Sequence, residues 1–195
     1  MQTRSLTTIT STLRWTSADL GGLPDDGRRY EIIDGELFVS KQPHFYHQHM
    51  CGKIYRFLED WSNQSNLGQT IIAPGLIFAD DNDVVPDVAW LSTERLAVAL
   101  GDDGKLHSAP DLVVEVLSPG STNQRRDREA KLKLYSRRKV LEYWIVDWLG
   151  QFIEVYRHPN THLELAATLT NGDQLESPLL PGFSEMVEAL FAGLA

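Results

Sequence analysis

Residues 110–117 read Pro-Asp-Leu-Val-Val-Glu-Val-Leu, an almost continuous apolar run that contains one glutamate, Glu115. Runs of this kind are typical of central strands that are covered on both faces. An ionised carboxylate at such a position is costly unless it is paired or binds a cation. Glu115 is therefore either one partner of a structural ion pair or a functional group. The residues expected near it decide between these two roles.

The sequence around this strand predicts an α/β or α+β domain with a mixed sheet flanked by helices. Asp34-Gly35 lies between two apolar runs and predicts a β-hairpin. The three- and four-residue spacing of apolar side chains from His47 to Trp61 predicts a helix with one buried face. Further strands are predicted at 70–78, with a break at Pro74-Gly75, and at 84–91, 142–148, 152–157 and 163–169. Further helices are predicted at 121–139, capped by Ser121 or Thr122, and at 183–191.

Length and composition favour one globular domain, because 195 residues with 42% apolar and 23% charged side chains are ordinary for such a protein. The net charge of −9 argues against a protein that coats nucleic acid without regard to sequence. Cys51 is the only cysteine, and no apolar stretch is long enough to cross a membrane. We therefore expect a cytoplasmic protein with no membrane partner.

Two Pro-Asp dipeptides supply candidate partners for Glu115, at Asp87 and at Asp111. Asp111 lies four positions before Glu115 on the same strand, so their Cα atoms are ~13 Å apart at ~3.3 Å per residue. Asp87 lies on another predicted strand and comes within about 4.8 Å of Glu115 if the two strands are neighbours. We predict that Asp87 and Glu115 hold a metal ion, and that Asp111 is a strand-entry residue or an outer group of the site.

The predicted helix after Glu115 is strongly basic, with eight Lys and Arg against two acids in residues 125–139. Such a segment suits a polyanionic ligand, although a charged helix face is also common as a solvated surface. At ~100° per residue, Lys131 falls on the apolar side of the helix with Asp127, and Lys133 falls on the solvent side. Lys131 is placed either to act on a water or a negative charge at the carboxylate pair, or to neutralise Glu115.

Three further polar residues are candidates for an accessory role in the same cleft. His47 lies on the apolar face of its helix, where a histidine is more often a buried core group than a ligand or base. Glu31 lies in the first strand of the hairpin, and Tyr135 lies one turn beyond Lys131. None of these residues indicates a site on its own.

Six motifs follow one another along the chain: residues 30–37 (Tyr-Glu-Ile-Ile-Asp-Gly-Glu-Leu), His47-Gln48, residues 85–88 (Val-Pro-Asp-Val), residues 110–119, Asp127 with Lys131 and Tyr135, and residues 142–147 (Glu-Tyr-Trp-Ile-Val-Asp). Together they resemble the Uma-type putative restriction endonuclease family, which has the fold of the PD-(D/E)xK nuclease superfamily. The resemblance covers about residues 14–192 and implies a single restriction-endonuclease-like domain over residues 1–195. Glu31 and His47 match motif positions and would be accessory residues of the site.

The resemblance implies that Asp87 and Glu115 hold Mg²⁺ or Mn²⁺ and activate water against a phosphodiester. The lysine of the superfamily normally stands two residues after the second acid, where this chain has Leu117. Lys131, on the following helix, is the match for that lysine, or else the site lacks one.

Two functions are therefore open. The first is a metal-dependent endonuclease that hydrolyses the phosphodiester bonds of DNA with the assistance of Lys131. Cutting both strands would favour a homodimer with two-fold symmetry. The second is a non-catalytic module that binds nucleic acid or protein and keeps Glu115 and Lys131 as an internal ion pair. Metal-dependent cleavage that requires Asp87 and Glu115 would separate the two functions.

Overall fold

The structure, a computed structural model, describes residues 13–120 and 124–194. Its strands in chain order are β1 (Arg29–Ile33), β2 (Glu36–Ser40), β3 (Gly68–Ile72), β4 (Leu76–Ala79), β5 (Asn82–Val84), β6 (Val88–Ser92), β7 (Leu112–Val116), β8 (Glu142–Asp147), β9 (Phe152–Arg157), β10 (Glu164–Leu169), β11 (Gln174–Glu176) and β12 (Ser184–Met186). Its α-helices are α1 (Ser17–Leu20), α2 (Phe45–Ser65), α3 (Thr93–Ala99), α4 (Leu132–Arg137) and α5 (Val187–Phe191).

The largest sheet has six strands in the order β10-β9-β8-β7-β6-β3. Only β7 and β8 pair in parallel within this sheet, and the helical segment between them makes the crossover. A four-stranded sheet in the order β2-β1-β5-β4 lies beside it, and β11 pairs with β12. The fold is therefore a mixed sheet flanked by helices, which confirms the predicted class.

Strand β7 is buried at every position, as its apolar sequence predicts. Alternate residues of a strand point to opposite faces. Leu112, Val114 and Val116 pack in the core that includes the buried face of α2, whereas Val113 and Leu117 pack with α4. Glu115 lies two positions from each of Val113 and Leu117, so its side chain is on the same face of the strand as theirs. The lone acid of the strand therefore belongs to the side of the sheet that α4 covers.

The hairpin prediction is confirmed, because β1 and β2 pair in register around a turn at Asp34-Gly35. The break predicted within 70–78 is confirmed, and the strand predicted at 84–91 is divided as well. Pro86-Asp87 separates β5 from β6, and Pro74-Gly75 separates β3 from β4, so that each half enters a different sheet. A proline lacks the N–H that a ladder needs, which explains why each strand ends there.

The helix predicted at 121–139 also differs in detail. Its described part contains a π-helical turn at Arg126–Lys131 followed by α4, which ends at Arg137. The turn that follows includes Lys139, whose φ is 68°. The predicted caps Ser121 and Thr122 lie outside the described residues. The closing helix predicted at 183–191 is only α5, because β12 occupies its first part.

Two short helices, α1 and α3, were not predicted from the sequence. Of the helices in the described ranges, none combines the length and the hydropathy that a membrane span requires.

Candidate active site

Asp87 and Glu115 lie at the same end of one antiparallel strand pair. Val88 on β6 is opposite Val114 on β7, so continuing this register by one residue brings Asp87 opposite Glu115. One carboxylate oxygen of Asp87, Oδ2, accepts a hydrogen bond of 2.9 Å from the backbone N–H of Val116. The expectation that the strands carrying the two acids are neighbours is confirmed.

Cations from two other elements contact the Asp87 carboxylate. Arg29 on β1 donates to Oδ1 at 2.9 Å, and Nε2 of His47 on α2 lies 3.2 Å from Oδ2. Burial alone would raise the pKa of Asp87, but the hydrogen bond and charge of His47, followed by the charges of Arg29 and Lys131, hold this pKa well below its usual range. Burial likewise opposes the charge on His47, but Asp87 outweighs it and raises the pKa of the imidazole.

Glu115 is bound through one of its two oxygens. Its Oε1 accepts hydrogen bonds of 2.8 Å from Nζ of Lys131 and of 2.8 Å from the hydroxyl of Tyr135. Among the residues that the structure describes, none donates a hydrogen bond to Oε2. Burial raises the pKa of Glu115, and the negative charge of Asp87 adds to this, although Lys131 acts in the opposite direction. The free oxygen leaves Glu115 able to accept a further ligand.

Lys131 is completely buried and stands between two strands of different sheets. Its Nζ atom lies 2.8 Å from Oε1 of Glu31 on β1 and 2.8 Å from Oε1 of Glu115 on β7. Burial disfavours the ammonium, but the charges of Glu115 and Glu31 outweigh it and raise the pKa of Lys131. Lys133, in contrast, is exposed. The predicted orientation of the two lysines is therefore confirmed.

The structure brings three of the four accessory candidates to this cluster. Glu31 binds Lys131, His47 binds Asp87, and Tyr135 binds Glu115. His47 is buried, as its helix face predicts, but it bonds a carboxylate rather than completing an apolar core. The cluster thus contains six side chains that sequence reasoning named: Glu31, His47, Asp87, Glu115, Lys131 and Tyr135.

The accessory assignment of Asp111 is wrong. Its carboxylate accepts a hydrogen bond of 2.8 Å from the backbone N–H of Ser92 and lies 3.1 Å from Nε of Arg95. These partners tie the start of β7 to the start of α3, at the opposite end of β7 from Glu115. Of the two roles that the sequence allows for Asp111, the structure favours that of a strand-entry residue.

The basic segment is also less available to a ligand than its composition indicates. Four of its arginines form ion pairs with acids, two of which lie within the segment and two elsewhere in the chain. These pairs are Arg125 with Glu129, Arg126 with Asp127, Arg128 with Glu154 and Arg137 with Asp34. Of the two interpretations that the sequence allows, these pairs favour a charged helix face whose arginines are bound to nearby acids.

Basic side chains also line the mouth of the cleft beside Asp87. Three of them, Arg28, Arg29 and Arg126, form ion pairs with acids, whereas Lys41 forms no ion pair with a described residue. A cavity of about 390 Å³ is lined by Arg28, Arg29, Lys41 and Arg126, together with His47 and Asp87. Sequence reasoning missed Arg29, although one pattern could have revealed it. Arg29 and Glu31 are two positions apart on one strand, which places both side chains on the same face.

The donor set at the strand ends fits a hard divalent cation. Asp87 and Glu115 present carboxylate oxygens, the ligands that Mg²⁺ and Mn²⁺ prefer. Oε2 of Glu31 is buried nearby without a hydrogen bond from any described residue, so the cluster holds more acceptor capacity than its donors satisfy. Asp87 and Glu115 are accordingly the residues of this cleft that could hold such an ion.

A family model described as Uma2, putative restriction endonuclease, matches residues 18–190. Among solved structures, a protein from Anabaena variabilis described as a putative nuclease belonging to DUF820 is 18% identical. The match has a TM-score of 0.72 and covers 90% of this chain and 97% of that chain. The type IIG restriction endonuclease BpuSI is 16% identical with a TM-score of 0.37, over 75% of this chain and 15% of that chain. No curated protein matches the sequence.

Proposed function

This chain belongs to the Uma2 family of putative restriction endonucleases, and on that premise we propose that it is a divalent-metal-dependent endonuclease that hydrolyses phosphodiester bonds of DNA. The observation that carries the proposal is the meeting of Asp87, Glu115 and Lys131. Three buried ionisable side chains from separate elements come together beside an open cleft, an arrangement typical of catalytic sites.

Asp87 and Glu115 are the residues that would hold Mg²⁺ or Mn²⁺. When bound, such an ion lowers the pKa of a water molecule and offsets negative charge on the phosphate. Arg29, His47 and Val116 fix the orientation of the Asp87 carboxylate, whereas Tyr135 and Lys131 fix that of Glu115 through Oε1. Both acids are thus held in place before a substrate arrives.

Lys131 is the group that would act on the nucleophile. A lysine ammonium has three donors, and two of them are used by Glu31 and Glu115. The third can hold a water molecule or an oxygen of the phosphate. Because Lys131 keeps its positive charge in this setting, it would stabilise negative charge that develops at the phosphorus centre rather than accept a proton.

The basic mouth of the cleft suits a nucleic-acid backbone. Arg28, Arg29, Lys41 and Arg126 line it, and side chains of these types supply the phosphate contacts that position a duplex. Cleavage of both strands of a duplex would favour a two-fold homodimer, which presents one such cleft to each strand. Light scattering during gel filtration, with and without a DNA duplex, tests that expectation.

One observation favours a second function, a non-catalytic module that binds nucleic acid or protein. Lys131 is enclosed by Glu31, Glu115 and Asp127, and both oxygens of Asp87 already accept protein donors. Buried clusters of this kind can be purely structural. Under this function the protein binds nucleic acid or protein without turnover, and the cleft holds no divalent ion.

Incubation of the purified protein with supercoiled plasmid and Mg²⁺ or Mn²⁺ tests the two functions. The wild type is compared with Asp87→Asn and Glu115→Gln, and with Lys133→Ala as an exposed control. Cleavage that is lost in both acid variants and kept in the control supports the endonuclease. Cleavage that persists in both acid variants comes from a contaminant, and absence of both cleavage and Mn²⁺ binding favours the second function.

A further inference from the structure

His47, Cys51 and Asp87 form a second group of potential metal ligands, on the α2 side of the cleft. Nε2 of His47 lies 3.2 Å from Oδ2 of Asp87, and its other ring nitrogen, Nδ1, lies 3.6 Å from Sγ of Cys51. One donor atom from each of the three buried residues lies within 4.8 Å of the other two. Donors around a tetrahedral zinc ion are roughly 3.3–3.8 Å apart, given bond lengths of about 2.0–2.3 Å.

The helix α2 supplies two of these ligands at the spacing that metal sites use. His47 and Cys51 are four positions apart, which places both side chains on the same face of a helix. Asp87 approaches that face from the start of β6. The ligands of the group therefore come from two parts of the chain that converge on one point.

We propose that His47, Cys51 and Asp87 bind one transition-metal ion of the zinc class. The ion takes the place of the hydrogen bond between His47 and Asp87. Oδ1 of Asp87 keeps its contact with Arg29, because the ion uses Oδ2. Three protein ligands leave one tetrahedral position, which water can occupy from the cleft that His47 and Asp87 line.

The chemistry of the donors selects the metal. An imidazole and a thiolate are preferred by Zn²⁺, Co²⁺ and related ions, whereas Mg²⁺ prefers oxygen. The group is thus distinct in its chemistry from the pair Asp87 and Glu115, which presents oxygen alone. Because Asp87 belongs to both groups, an ion held by His47 and Cys51 removes this carboxylate from the site proposed for Mg²⁺ or Mn²⁺. This competition, unlike the zinc-class site itself, rests on the proposed function.

Titration of the metal-free protein with Co²⁺ tests the site directly. Cys51 is the only cysteine, so any thiolate-to-cobalt charge-transfer absorption must arise from it. We expect this absorption to saturate at one Co²⁺ per chain in the wild type, and stoichiometric Zn²⁺ to remove it. Cys51→Ser should abolish the band and weaken Zn²⁺ binding by roughly 100-fold or more, since even outer-shell losses cost 10–100-fold. Circular dichroism and thermal melting establish that the variant is folded.

Glu115→Gln is the matched control, because it alters the oxygen pair and leaves His47, Cys51 and Asp87 unchanged. It should retain the cobalt spectrum. In the wild type, Zn²⁺ should also displace bound Mn²⁺, followed by electron paramagnetic resonance, and this displacement should be absent in Cys51→Ser. A wild type without the charge-transfer band, or a Cys51→Ser variant with unchanged Zn²⁺ affinity, would overturn the site. Neither readout depends on DNA cleavage, so an inactive protein leaves this test intact.

Discussion

The Nζ atom of Lys131 lies 2.8 Å from Oε1 of Glu115, and neither side chain is more than 2% exposed. A buried charge pair contributes little when it is complete, but it leaves an uncompensated charge when one partner is removed. Glu31 provides Lys131 with a second carboxylate partner, also at 2.8 Å. This ion cluster therefore joins β1, β7 and the helical segment that precedes α4.

Replacement of Lys131 by methionine should lower the free energy of unfolding by about 3–5 kcal/mol, because Glu31 and Glu115 are then buried without their cation. Urea denaturation of wild type and Lys131→Met measures this loss. Lys133→Met changes an exposed lysine two positions away, and it should stay within about 0.5 kcal/mol of wild type. Equal stability of the two variants would show that the ammonium of Lys131 does not stabilise the fold.

Asp87 and Asp111, which each follow a proline, allow a matched comparison of function with stability. Asp87→Asn should abolish metal-dependent cleavage, because it replaces the charged carboxylate that the proposed ion requires by a neutral amide. Asp111→Asn should instead cost about 1–3 kcal/mol of stability through its partners Ser92 and Arg95, with the cleavage rate of folded protein unchanged. Plasmid cleavage and thermal melting of both variants check this division. If the Asp111→Asn variant were stable but inactive, Asp111 would have to act in the catalytic site.

Local sequence patterns were sufficient to predict much of the fold and most of the cluster. The Asp-Gly turn identifies the hairpin, and one acid within an apolar strand identifies Glu115. Helical periodicity separates Lys131 from Lys133 because one face of that segment is buried. These features depend on residues that are neighbours in the chain, so their physical causes are visible in the sequence.

The remaining features depend on contacts between distant segments. Arg29 and Asp87 are 58 positions apart, and nothing in either local sequence indicates that they meet. Arg137 pairs with Asp34 across 103 positions, so the charge of the basic segment could not be judged before folding. The break at Pro86 was visible as a proline, but the assignment of β5 and β6 to different sheets required the tertiary structure.

Glu142 should make stability depend on pH in a defined direction. Burial raises the pKa of this carboxyl, even though Trp144, Arg157 and Ser177 act in the opposite direction. The folded protein therefore binds this proton more tightly than the unfolded chain, and stability declines as pH rises from about 4.3 through the raised pKa. Glu142→Gln does not titrate, so its stability relative to wild type should improve over the same range.

Urea denaturation of wild type and Glu142→Gln at a series of pH values measures this difference. Glutamine loses the acceptor for Ser177 and Arg157, which shifts the stability of the variant by a similar amount at every pH. Only the change in the difference with pH reports the titration. Parallel stability curves would mean that folding does not perturb the Glu142 carboxyl.

Lys41 tests whether the mouth of the cleft binds the nucleic-acid backbone. It is exposed and lines the cavity beside Asp87. If it neutralises one phosphate, Lys41→Ala should weaken DNA binding equally for unrelated sequences and reduce the salt slope of log K by about 1. Fluorescence anisotropy with labelled duplexes, without divalent metal so that no cleavage occurs, measures the slope. Lys133→Ala removes the same charge outside the cleft and should leave the slope unchanged, whereas equal effects of both variants would indicate binding by overall charge alone.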